Sequence, residues 1–187
     1  LESGDRIEFN FVPTGERLRE PFEIAEGVTI PAGAYHWTRW RLEAQFASKR
    51  KVSGQVTWWF GGFYGGRLSE LTVTGTLRPW PLLIVELNAG HNVGNLPQGR
   101  FVQDVVGTRL RFNFSPDLQL ASYVQYDNQS RSIGSNSRLR WSFSPRGELF
   151  VVYNHNLNEE RDALGSRTGW NFASNQLLAK LQYMFQY

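Results

Sequence analysis

Apolar and polar residues alternate with a period of two along most of this chain, most plainly over residues 177–187. There Leu177, Leu181, Tyr183, Phe185 and Tyr187 share one parity, while Lys180, Gln182 and Gln186 take the other. A period of two sends successive side chains to opposite faces of a β-strand. The pattern therefore calls for extended structure with one apolar and one polar face. It leaves little room for helices, whose faces repeat every 3.6 residues.

Composition narrows what such strands can build. A length of 187 residues is one domain's worth of chain. The mean hydropathy is −0.42 and no apolar run approaches the roughly 18 residues of a spanning helix. A membrane-spanning β-barrel survives that test, because alternation halves the apolar content of each strand. Cysteine is absent, which removes disulfides, thiolate metal ligands and cysteine nucleophiles, and is compatible with an oxidising compartment. A net charge of +3 with no basic run speaks against a nucleic-acid partner. The chain opens at Leu1 with no initiator Met and no leader, as in a mature form or a piece of something longer.

The alternation predicts ten strands, at about 5–12, 35–47, 52–61, 67–78, 82–92, 101–114, 118–127, 135–144, 148–156 and 174–187. Tight connections such as 78–81, 115–117 and 144–147 carry proline, which fixes φ and cannot donate to a ladder. The connections 13–34, 62–66, 93–100, 128–134 and 157–173 read as longer, glycine-rich loops. Short turns at one end and long loops at the other are the asymmetry of outer-membrane barrels, whose short turns face the periplasm. An even strand count then places both termini on the periplasmic side. The aromatic C-terminal strand itself resembles the assembly signal of such barrels, with Tyr183, Phe185 and Tyr187 as interface residues. The segment 109–116 is echoed by 138–145, as expected when a barrel grows by repeated hairpins. The expected fold is thus all-β: a single domain over 1–187, forming a transmembrane up-and-down antiparallel β-barrel of about ten strands, with short periplasmic turns and longer extracellular loops.

Parity sorts the charges. Leu42, Leu71, Leu110 and Leu139 fall in a nearly uncharged set. Glu8, Arg39, Arg41, Glu43, Glu70, Glu86, Arg109, Arg111, Arg138, Arg140 and Lys180 fall in the opposite one. An Arg or Lys facing lipid at the bilayer midplane costs about 2–4 kcal/mol, so in a membrane barrel the charged set lines the lumen. In a soluble barrel the assignment would invert. Aromatics, 14% of the chain, are expected to form two girdles. Phe46, Trp80, Phe112, Phe114, Trp141 and Phe143 lie near the short turns, and Tyr35, Trp58, Phe60, Tyr126, Tyr153 and Trp170 near the long loops.

Two uses of the charged face follow. Inward arginines at i, i+2 on two strands would make an anion-attracting constriction. Alternatively, Arg–Glu pairs fill a narrow interior and satisfy one another's hydrogen bonds. A rim hydrolase is the catalytic alternative, drawing on His36, His91, His155, Asp104 and Asp127, since a His–Asp pair can act as a general base. No local spacing favours a metal and no cofactor motif occurs, so none is expected. Residues 14–34 contain the apolar stretch 21–31 and are expected to fold over or into the barrel mouth.

The run 137–154, with 28–35, resembles the C-terminal barrel region of bacterial envelope proteins that also carry a family-9-like carbohydrate-binding module. The resemblance implies a C-terminal fragment and leaves room for a larger barrel, with no module of that kind here and no catalytic residues to transfer. The reading is a bacterial outer-membrane protein without catalysis, a small porin-like transport pore or membrane anchor, with a structural subunit of a larger outer-membrane complex, its lumen closed, as the alternative beside the rim hydrolase. Its partners would be outer-membrane lipid and lipopolysaccharide, the barrel assembly machinery and other envelope proteins.

Overall fold

The computed structural model describes residues 4–185. Its ten long strands are β1 (Arg6–Leu18), β4 (Gly33–Phe46), β5 (Val52–Phe63), β6 (Gly66–Trp80), β7 (Leu83–Leu96), β8 (Gly99–Asn113), β9 (Leu118–Asp127), β10 (Ser132–Ser144), β11 (Gly147–Arg161) and β12 (Arg167–Tyr183). A short hairpin, β2 (Phe22–Ala25) and β3 (Val28–Ile30), interrupts the connection between β1 and β4. The ten long strands form one sheet in sequence order, from β1 through β4 to β12. No described residue is helical.

Two expectations require correction. First, the sheet is not closed into a barrel: β1 has only β4 beside it and β12 only β11, so each keeps an unpaired edge among the described residues. A barrel needs every strand hydrogen-bonded on both sides, and residues 171–185 are exposed without a break. Second, the long loops are mostly short. Strands run on through segments whose glycines read as loop formers, leaving only 64–65, 97–98, 128–131 and 162–166 as connections. The glycines are spacers rather than breakers. A Cβ on Gly94 would sit 2.2 Å from the Phe101 ring, and one on Gly66 2.3 Å from the Asn95 carbonyl oxygen. Both positions need a missing side chain to let the ladder continue. At 64–65 the chain reverses in two residues with φ of 42° and 81°, the left-handed pair of a type I′ hairpin turn.

The chain divides into two compact units: residues 1–75 with 88–104, and residues 76–87 with 105–187. In the first, the apolar core is made by the β2–β3 hairpin. Val28 and Ile30 pack with Tyr64, Leu68, Leu96 and Phe101, and Ile30 is fully buried. By strand parity Leu68, Leu96 and Phe101 belong to the charged face, so the hairpin covers that face at the end away from the tight turns. The apolar stretch 21–31 thus finds its cover inside the first unit. In the second unit, the described strands carry apolar residues such as Leu110, Val124, Trp141 and Leu181 on one face, all exposed.

Candidate polar face

Along β4 exposure runs opposite to that of a water-soluble sheet. The residues with Arg39, Arg41 and Glu43 are sheltered, and those between them are open. Glu43 retains 5% of its surface while neighbouring Leu42 retains 41% and Trp40 37%. On the same parity, Phe9 stacks on Trp40, and Phe11–Trp40 and Trp58–Phe60 meet as tilted ring pairs. Parity is the cause: Arg39 to Gln45 of β4 are paired across to both β1 and β5 in register, so charges gather in one column and rings in the other.

In the first unit the sheltered charges interlock. Arg6 reaches Glu8 at 3.0 Å and Glu43 at 3.2 Å; Arg41 reaches Glu8 at 2.8 Å and Glu43 at 3.5 Å. Arg39 binds Glu70 at 2.6 Å. Its guanidinium lies over the rings of Trp59 and Phe63, and Arg41 also lies over Trp59, in cation–π contacts. The side chains of Trp59 and Phe63 were not singled out as partners of the arginines. Trp59 shares the parity of Thr57, which is the signal that could have found it. Arg39 Nε and Nη2 and Trp37 Nε1 are buried without a hydrogen-bond partner among the described residues, and for Arg39 the faces of Trp59 and Phe63 lie in that place.

Tyr35 belongs to this face rather than to an outer girdle. Its hydroxyl donates to the Pro31 carbonyl at 2.8 Å, and its ring meets Tyr64 edge-on. Tyr64 in turn donates to Glu16 at 2.6 Å. Burial first, then that hydrogen bond and the charge of Glu16, push the Tyr64 phenol up to about 12.

The second unit keeps its charges half-open. Glu86 bridges Arg111 and Arg109, the latter at 3.7 Å, and Arg140 pairs with Glu148 at 2.5 Å. Glu148 was not predicted; the tight 145–146 turn brings it beside Ser142, one pair from Arg140. Arg109 lies over the Tyr123 ring at 5.2 Å. Arg138 is flanked by Ala121 and Val152 and Lys180 by Phe150, and neither forms an ion pair among the described residues. Tyr183 and Phe185 pack ring against ring, whereas Tyr187 lies outside the described residues.

The histidines do not converge. His91 meets Asp104 at 2.5 Å, both on the apolar-face parity. His155 stacks between Tyr153 and Phe172, and His36 packs against Gly15. Among the described residues no group of three or more His, Asp or Glu side chains is arranged to hold a metal. No family model, no curated protein and no solved structure matches this chain.

Proposed function

We propose that this chain is a wall of a bacterial outer-membrane β-barrel protein, non-catalytic, in which the apolar face meets lipid and the Arg/Glu face lines a water-filled or narrow interior. The observation that carries the reading is the reversed exposure of β4, with Glu43 sheltered beside open Leu42 and Trp40. A continuous exposed apolar face of this kind needs an apolar environment to cover it. Strands of this length suffice for a tilted span, which takes about 9–11 residues. Arg109, Arg111, Arg138, Arg140 and Lys180 then face the interior, where unpaired Arg138 and Lys180 bias it toward anions. Tyr183 and Phe185 sit at the periplasmic interface, and lipid, lipopolysaccharide and the assembly machinery are its partners.

The two unpaired edges favour a second reading beside the first. Unsatisfied backbone groups cannot face lipid, so β1 and β12 need neighbouring strands, as they would have if the sheet were a subunit or segment of a larger envelope assembly. The resemblance to barrel regions of longer envelope proteins points the same way.

Planar-bilayer recording tests the primary reading. A pore gives steady anion-selective current that falls when Arg109, Arg111, Arg138 and Arg140 are reversed to Glu. Stable insertion without current leaves the anchor alone. A chain that stays with the aqueous phase when mixed with lipid vesicles contradicts the membrane reading.

A further inference from the structure

The polar face of the second unit is itself divided along its strands. Toward the tight turns lie the charged rows, Arg111 with Arg138 and Arg140 with Lys180. Further along, two cross-strand rows from β9 to β12 carry no charge: Tyr123–Asn136–Asn154–Gln176, then Gln125–Gly134–Asn156–Ser174. Together with Asp127 they line a groove of about 650 Å³, and Arg109 of β8 continues the first row beyond Tyr123.

Its polar groups are oriented by one another. Asn136 donates to Asn154, Asn154 to Gln176 at 3.3 Å, and Asn156 to Ser174 at 3.0 Å. An amide has two N–H donors and a carbonyl with two lone pairs, so this ladder leaves most of that capacity open to the groove. Tyr123 donates to Gln125 at 2.9 Å. Its ring is held in place, because a Cβ on Gly107 would lie 2.5 Å from its oxygen and Arg109 lies over the ring.

Gly134 forms the floor. Its backbone has no positive φ to require glycine, and a glycine inside a strand weakens the sheet unless something must come close. The missing side chain opens space beside Asn156, whose amide oxygen a Cβ would approach to 3.2 Å.

We propose that this groove binds neutral polyhydroxylated solutes, with a sugar ring over Gly134 and its hydroxyls on the amides of Asn136, Asn154 and Asn156. Each amide offers a donor and an acceptor side by side, which matches a pair of adjacent hydroxyls. The amides themselves carry no charge, and the two charged residues beside them, Arg109 next to Tyr123 and Asp127 in the lining, are of opposite sign, so the groove favours neither ion. The groove lies on the face opposite the apolar one, so the ligand is a dissolved oligosaccharide rather than the head group of a glycolipid whose chains lie against that apolar face. The inference needs only a wetted polar face and does not depend on lipid covering the other.

Titration calorimetry on the full chain in detergent micelles tests it, with maltotriose and cellotriose as neutral probes and trigalacturonate as the charged one. At least one neutral trisaccharide binds saturably. Gly134→Val, which suits a strand but fills the floor, weakens that binding by at least about tenfold, and Arg138→Gln leaves it unchanged. The proposal is overturned if neither neutral probe binds, if Gly134→Val binds as well as the parent, or if only trigalacturonate binds, which would move the ligand to the arginine rows. A micellar glycolipid that binds in place of the free trisaccharides would overturn the dissolved source.

Discussion

The polar faces of the two units begin from the same alternation and end in different states. In the first, Arg39 and Glu43 are sheltered, the Arg39 guanidinium lies over Trp59 and Phe63, and the β2–β3 hairpin packs on the same face. In the second, the arginines remain half-open, and Arg138 and Lys180 form no ion pair among the described residues. The difference lies in what the chain between strands supplies. Residues 19–32 carry Val28 and Ile30, enough apolar surface to cover a polar face, whereas 128–131 and 162–166 carry only turns. A strand pattern decides which side is polar; a connection decides whether that side is covered.

The sharpest way to break this contrast is to remove the cover. Ile30→Ala deletes a fully buried side chain from the hairpin core and should destabilise the first unit by about 2–5 kcal/mol. Hydrogen exchange in micelles reads it, with amides of β2, β3 and the 64–65 turn losing protection while β10 and β11 keep theirs. Uniform loss across both units would contradict an independent hairpin core.

Next in size is a carboxylate. Glu43→Gln keeps the shape but removes the charge that answers Arg6 and Arg41, costing about 1–3 kcal/mol in thermal unfolding.

The pH dependence of the covered unit comes from Tyr64. Its phenol ionises at about 12 in the fold against 10.0 for an ordinary tyrosine. Between those values the fold keeps a proton that the unfolded chain has lost. Its stabilising effect is complete below pH 10 and is lost as the pH rises through that window. Thermal unfolding of the parent should fall more steeply over that range than that of Tyr64→Phe, and equal slopes would sink the assignment.

The smallest effect is in the open unit. Glu148→Gln removes the partner of Arg140 at a solvent-washed pair and should leave the unfolding midpoint where it was.

Ten long strands and their two faces were legible in the sequence, because a period of two gathers nearly all strand charges into one parity class from Ile7–Phe11 to Leu177–Tyr183. The apolar stretch 21–31 likewise announced a segment that must find cover. Strand ends were less legible. Gly66 and Gly94 have the composition of loops, and only the backbone or ring that fills the space of the absent Cβ shows why they sit in strands. The site was half legible. Parity placed Arg39, Arg41, Glu43 and Glu70 together, but which arginine meets which carboxylate depends on register, as with Glu148 and Arg140. Tyr35 was misplaced because nearness to a loop was weighed above its parity, which it shares with Arg39 and Arg41. Edge pairing was beyond the sequence, since β1 and β12 carry the same pattern as strands with neighbours on both sides.

The central claim is that the apolar parity faces lipid and the charged parity faces water. The chain has no native cysteine, so single-cysteine spin labels can be placed at will. Labels at Leu42→Cys, Trp58→Cys and Leu110→Cys in lipid vesicles should be relaxed by dissolved oxygen and shielded from a water-soluble nickel chelate. Those at Arg41→Cys, Thr57→Cys and Arg111→Cys should show the reverse. The same accessibility for both sets, or chelate access to the Leu42, Trp58 and Leu110 sites, would contradict the account.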